Sequence, residues 1–186
     1  VDHRPMPHYP FEFILADALE FAQDHGHEFD AIHASPPCQA YSPLRARQLG
    51  KMYPDLIATT RATLRATGIP WVIENVMAAP LFGGVVLCGT MFGLRTYRHR
   101  RFESSVMMMQ PSHPKHTVRS CTKKRRAGWD AGLFASVTGD VSVYVGSQAL
   151  GINWMTGEEL SQAVPPVYTM WIGRLLIPCL VWSISM

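Results

Sequence analysis

The apolar residues of this chain switch between strand-like and helix-like spacing over its first half. Phe11-Glu12-Phe13-Ile14-Leu15 is a strand candidate, and Ala18, Leu19, Phe21 and Ala22 then recur at helical spacing behind Asp17, an N-cap residue, predicting a short helix over 17–25. Residues 29–34, which run from Phe29 to Ala34, form a second strand. Leu56, Ile57, Thr60 and Leu64, with Gly68 beyond them, predict a helix over about 55–66. The run Trp71-Val72-Ile73-Glu74-Asn75-Val76 is a third strand, apolar until it ends in a carboxylate. Strand, helix, strand, helix, strand is the order of a parallel sheet with crossover helices.

After Pro80 the pattern shortens. Residues 85–89 and 91–94 predict short strands and turns leading into Tyr97-Arg98-His99-Arg100-Arg101-Phe102-Glu103. Residues 104–140 have weak periodicity and predict an irregular insert, after which order returns over 141–150. Thr156 opens a helix, and Pro165-Pro166 precedes another over about 167–176. The apolar stretch 171–184 is expected to be a buried helix followed by a strand. It is interrupted by Gly173, Arg174 and Pro178, and no apolar run reaches the ~18 residues of a membrane span.

With 186 residues and 47% hydrophobic content the chain can bury a core of its own. Cys38, Cys88, Cys121 and Cys179 lack paired spacing, which signals neither a disulfide framework nor a zinc site, so no metal is expected and a reducing, cytoplasm-like compartment is. The net charge of +3 is unevenly spread. Residues 95–126 carry ten Lys and Arg against one acid, Glu103, whereas the rest carries seven against thirteen. Such segregation points to a polyanion on one face, or to a solvated basic loop.

Ser35-Pro36-Pro37-Cys38-Gln39 follows the second strand directly. Two prolines fix the backbone and remove two amide donors ahead of the thiol, which suits a rigid loop and neither helix nor strand. Cys38 would sit on the carboxyl rim of an α/β sheet, where ligands collect. Glu74, at the end of the next strand, would share that rim.

The ordered set Pro36-Pro37-Cys38-Gln39, Glu74-Asn75-Val76 and the arginine-rich 98–101 ahead of Phe102 resembles the DNA cytosine carbon-5 methyltransferases, most of all their compact bacteriophage and bacterial forms. The likeness spans nearly the whole chain, since Ala149-Leu150-Gly151-Ile152 and Pro165-Pro166-Val167-Tyr168-Thr169 resemble the closing segment of that group. It implies a Rossmann-like, S-adenosylmethionine-dependent α/β methyltransferase sheet with helices on both faces. The implied organisation is a catalytic core over 1–103, a small basic target-recognition insertion over 104–140, and a return to the core over 141–186.

The implied chemistry adds the Cys38 thiolate to carbon 6 of a flipped cytosine, so that carbon 5 becomes nucleophilic toward the methyl donor. A free thiol is mostly protonated near neutral pH, and the 98–101 segment would supply a cation. Glu74, protonated, would relieve the negative density at ring nitrogen 3, with Asn75 holding the loop. Arg98, Arg100 and Arg101 are the catalytic-segment arginines. The family pattern of Gln, Arg and Arg at alternate positions is not matched: aligning on Arg101 brings in Tyr97 and His99, and aligning on Arg100 puts Arg98 first and Phe102 last.

By the same resemblance Asp2, His3, Asp17, Ala18, Pro37 and Leu56 are the expected S-adenosylmethionine contacts, Asp17 equally fitting a plain N-cap. Pro36, Gln39, Ser42, Lys123, Lys124, Arg125 and Arg126 are the expected contacts with double-stranded DNA, with Trp129 and Phe134 as further candidates. The family's glycine-rich first loop precedes the acid matched by Asp2, so a segment of roughly 20–30 residues is expected ahead of Val1. A monomer in the cytoplasm of a bacterial or phage-infected cell is expected. A degenerate, non-catalytic DNA-binding form and an RNA cytosine-5 methyltransferase are the alternatives.

Overall fold

The computed structural model describes residues 1–42, 52–121, 126–139 and 141–183, with the side chains of the last helix described to 176. Asp17 opens the first helix as its sequence suggests: Oδ1 accepts from the Leu19 and Glu20 N–H groups at 2.8 and 3.1 Å, and α1 spans Ala18–His25. A 3₁₀ turn, Gly26–Glu28, follows, and the Phe29 N–H closes it onto the Gly26 carbonyl at 3.3 Å. That bond takes the front of the expected 29–34 strand, and β1 is confined to Ile32–Ala34. Helix α2, Ile57–Thr67, ends where Gly68 adopts the left-handed conformation at φ 73°.

Strand β2, Trp71–Asn75, is buried along its whole length and lies parallel to β1, with Ile32 opposite Trp71 and Ala34 opposite Ile73. Beyond it the sheet changes character. β3, Val85–Leu87, and β4, Arg100–Ser104, form a hairpin-like pair, and β4 lies antiparallel to both β2 and β3, giving the order β1-β2-β4-β3. The fold is thus mixed α/β with a mixed sheet; the expected all-parallel pattern holds only for β1 and β2. Its two faces are both covered. Trp71 and Ile73 pack with Ala22, Ile57 and Leu64 of α1 and α2, whereas Val72 packs with Phe102, Tyr168, Ile172 and Leu176 on the other side. This alternation is the strand period of two expressed as packing.

Two expected elements differ. Residues 11–15 form no strand beyond one parallel bridge between Asp2 and Leu15; Phe11 and Leu15 stay 69% and 61% exposed, so longer pairing there would bury no apolar face. Of the short strands and turns expected over 85–94, the strand lies at Val85–Leu87, and Met91 and Phe92 end a 3₁₀ turn, Gly89–Phe92, that Gly93 caps. Among the described residues no strand follows the last helix: α6 runs Pro166–Ser183, with Pro166 at the first helical position where its missing N–H costs nothing. Tyr168, Ile172 and Leu176 recur at i, i+4 and i+8 and commit this segment to a helical stripe against the sheet. On that side no edge is open to a new strand, because the Gln110 side chain already takes the Val86 N–H and C=O, each at 2.7 Å.

The 104–140 region is irregular, as expected, but not empty. It contains β5, Ser120–Cys121, α3, Arg126–Asp130, and β6, Phe134–Ala135, with β5 and β6 paired in parallel. Trp129, Ala135 and Val137 share a second core with Val145, Ala149 and Leu150 of α4, Val143–Leu150, and Leu160 of α5, Gly157–Gln162. Thr156 and Glu159 close a capping box at the start of α5. Among the described residues no helix is long and apolar enough to cross a membrane.

Gly84 lets β3 approach β4. Its φ is 78°, and a Cβ there would lie 1.8 Å from the Phe102 carbonyl oxygen. Gly84→Ala combines a left-handed conformation with a backbone clash, so it should destabilise the protein by at least ~3 kcal/mol, read as a lower urea midpoint at unchanged m-value.

Candidate functional site

The parallel pairing of β1 with β2 sets the site. Both strands end on the same rim, so the loop that leaves β1 passes over the last two residues of β2. Asn75, almost fully buried, donates from Nδ2 to the Pro36 carbonyl at 2.8 Å, and its Oδ1 accepts the Val76 N–H at 2.9 Å. Since proline offers no amide donor, the bond uses the only polar backbone group that Pro36 has. The loop then turns at Cys38, whose carbonyl accepts the Tyr41 N–H at 3.0 Å, and leaves the thiol partly exposed and free of any disulfide.

Glu74 points into the same region from the strand next door. Its side chain is 8% exposed, and the Arg100 Nε lies 2.9 Å from Oε1. That contact is close but not aligned as a hydrogen bond, and Oε1 is a buried acceptor without one. Burial pushes the Glu74 carboxyl above the usual range, against the opposing pull of Arg100, of the Ser35 hydroxyl and of Arg98. A buried acid with a raised pKa at the end of β2, on the rim where the half-buried Cys38 follows β1, has the features by which candidate functional sites are recognised.

The three arginines have separate positions. Arg100 is the one against Glu74. Arg98 donates to the carbonyls of Val137, Ser161 and Ala163 at 2.7–2.8 Å, and its own carbonyl accepts the Tyr168 hydroxyl at 3.0 Å. These bonds hold it at φ 22° and tie β4 to the segment before α6. Burial lowers its pKa most, then Arg100, while Glu74, Tyr168 and Cys38 raise it, which places its charge within electrostatic reach of both the thiol and the carboxyl. Arg101 turns the other way and donates to the Ala79 and Leu81 carbonyls at 3.2 and 2.9 Å. Arg98 and Arg100, at alternate positions, are therefore the pair on the side of Glu74, the same two residues that the alignment on Arg100 puts in its first two places.

The basic window is less of a free surface than its composition suggests. Arg95 stacks over Trp129 at 3.8 Å and donates to the Trp129 and Leu133 carbonyls, and Glu103 is consumed by a buried pair with Arg61. Lys115 and Arg119 are exposed. Arg126 is exposed as well, but it pairs with Asp130 at 3.5 Å and lies over the Tyr144 ring at 4.4 Å. Lys123, Lys124 and Arg125 lie outside the described residues. Trp129, a candidate for DNA contact by sequence, is 5% exposed and belongs to the second core, and Phe134 packs on Tyr97 at 5.0 Å.

Of the other expected contacts, Pro36 and Pro37 are half-buried beside Cys38, Gln39 is exposed, and Ser42 is half-buried at the end of a described segment. Asp2 accepts the Arg4 N–H at 2.9 Å and lies 3.3 Å from the exposed His3 ring. Its bridge to Leu15 places it alongside the chain two residues before Asp17 and three before the exposed Ala18. The two carboxylates thus stand near the ends of adjacent parallel segments, accessible to hydroxyl and amino donors. Asp17 meanwhile serves as the N-cap, and Leu56 takes the equivalent position ahead of α2 without a side-chain cap.

No family model, curated protein or solved structure matches the chain. One cluster escaped the sequence reading altogether. Cys88, His99, His113 and His116 converge, although cysteine spacing signalled no metal; the usable signal was the spacing of His113 and His116, three apart in an irregular segment.

Proposed function

We propose that this chain is a DNA cytosine-5 methyltransferase with a Rossmann-like catalytic core, in which Cys38 forms a transient covalent bond to carbon 6 of a flipped cytosine. The observation that carries the reading is the joining of the Cys38 loop to the end of β2: Asn75 holds Pro36, and Glu74, buried and raised in pKa, sits beside it. S-adenosylmethionine, held at Asp2, Asp17 and Pro37, would supply the methyl group taken by carbon 5.

The chain's own residues perform the rest. The Cys38 thiolate attacks carbon 6, and the electron pair pushed onto the pyrimidine is met at ring nitrogen 3 by the Glu74 proton. Once carbon 5 carries the methyl group, loss of its proton to a base restores the ring double bond and expels the Cys38 thiolate, a step that fluorine at carbon 5 blocks. Arg100 adds positive potential at the same place, and the thiolate gains from the nearby charge of Arg98. Arg98 also fixes β4 through its three carbonyl bonds, so the positive edge is preorganised rather than recruited. The base reaches the rim only when flipped from the helix, and Lys115 and Arg119 would grip phosphates meanwhile.

The test uses protein expressed from its complete reading frame and a long duplex in which every cytosine is 5-fluorocytosine, so that any short target is present. With S-adenosylmethionine, wild type should give an adduct that survives denaturing electrophoresis, and Cys38→Ala should give none. An adduct in Cys38→Ala, or salt-sensitive DNA binding by wild type with no adduct, would sink the reading, the second in favour of a non-catalytic binder.

A further inference from the structure

We propose that Cys88, His99, His113 and His116 hold a structural zinc ion that clamps the long 105–119 segment onto the β3/β4 pair. The four donor atoms lie within 4.8 Å of one another, with Cys88 Sγ to His116 Nε2 at 3.4 Å and His99 Nε2 to His113 Nε2 at 3.1 Å. A tetrahedral zinc with Zn–S of about 2.3 Å and Zn–N of about 2.0–2.1 Å separates its ligand atoms by about 3.3–3.6 Å. The observed spacings bracket that figure. His113 and His116, the two rings that would turn to close the set, are both exposed.

The fold produces this convergence through its strand register. Leu87 pairs with Arg100, so one step further Cys88 stands across from His99. The chain then traverses β4 and returns through 105–119, fifteen residues without helix or strand. Loops of that length inside a compact domain usually carry a specific anchor. Here the segment is fixed at residue 110, where Gln110 bonds Val86, and at residue 118, where the Tyr97 hydroxyl bonds both the N–H and C=O of Val118. His113 and His116 fall between those two points, on a part of the loop with little apolar burial of its own.

The donor set selects the metal. One thiolate and three imidazoles, with no carboxylate among them, suit zinc and suit neither magnesium nor calcium. Four protein ligands leave no open position, the mark of a structural rather than a catalytic site. Neighbouring groups hold two of the four side chains in place: the Thr90 hydroxyl lies 3.1 Å from Cys88 Sγ and can donate to a thiolate there, and the Tyr97 ring stacks on His116 at 3.7 Å. Because His99 stands between Arg98 and Arg100, a metal at this place would also brace the arginine edge of the candidate site.

The site is tested on the protein from its complete reading frame by elemental analysis and by cobalt substitution. One zinc per chain is expected, and cobalt in its place should show intense tetrahedral visible bands with a thiolate charge-transfer band in the near ultraviolet. His113→Asn with His116→Asn alters two exposed side chains, so it should keep the far-ultraviolet circular dichroism while losing the metal, the bands and the resistance of 105–119 to proteolysis. Wild type that neither carries nor takes up zinc or cobalt stoichiometrically would overturn the site, as would full metal retention by the double variant. A cobalt spectrum without the thiolate band would overturn the assignment of Cys88.

Discussion

In the proposed mechanism Glu74→Gln is expected to slow methyl transfer by about 10²–10⁴-fold, the range for loss of a positioned general acid, with any DNA binding preserved. Glutamine keeps the shape and an N–H donor but has no proton to give. The pH dependence separates this role from mere packing. Burial raises the Glu74 pKa despite Arg100, so the protonated form persists to higher pH than an ordinary glutamate and is lost as pH rises through the folded-state value. The wild-type rate should therefore fall on that limb, and the variant should lack it. Stability has the same sign. The raised pKa contributes stability that is fully present below the unfolded value of about 4.3 and lost as pH rises through the folded one. The variant's unfolding midpoint should therefore gain on wild type as pH increases. A wild-type rate in Glu74→Gln, with the basic limb intact, would remove Glu74 from the mechanism.

What the sequence made legible was local. The Asp17 cap, the Gly68 stop, the Thr156 start and the strand 71–75 each rest on a few adjacent residues, and each is present in the structure. The shared rim of Cys38 and Glu74 was legible too, because a helix that carries the chain back along the sheet lets the next strand run parallel to the last, as β1 and β2 do. Pairings between distant segments were not. That β4 inserts antiparallel between β2 and β3 depends on Gly84 and on the buried Glu103, neither of which advertises itself by periodicity.

Side-chain commitments were equally hidden. Three arginines within the four residues 98–101 look like one basic patch, yet Arg98 and Arg101 are spent on backbone carbonyls and Arg100 on a carboxylate; only three dimensions separate them. The Cys88 cluster draws one side chain from the residue after β3, one from the residue before β4 and two from a loop, so no linear spacing rule would find all four. In both cases the missing information is register, which fixes who faces whom.

The largest stability effect is expected at Arg61. This residue reaches from α2 to β4, where Nε and Nη2 donate to the two Glu103 carboxylate oxygens at 2.6 and 2.7 Å, and Nη2 also donates to the Pro80 carbonyl at 3.1 Å. Its guanidinium lies 4.1 Å over the Phe82 ring, and the Phe82 N–H donates to Glu103 at 2.9 Å. Arg61→Ala would strand a carboxylate that is 3% exposed with one remaining donor. The expected cost is about 3–5 kcal/mol, which can consume most of the ~5–15 kcal/mol that a domain has. Arg61→Met with Glu103→Leu should recover most of that loss, since it removes both charges and their desolvation together. The pH profile gives the second check. Burial alone would raise the Glu103 pKa, but the bonds from Arg61 and the Phe82 N–H outweigh it and leave the pKa lowered. Its contribution is therefore present above the unfolded value of about 4.3 and lost as pH falls through the folded one, opposite in slope to Glu74. Urea unfolding across that range should show wild type converging on Arg61→Ala in acid. A constant gap between them would mean that Arg61 stabilises the fold by packing on Phe82 rather than through its charge.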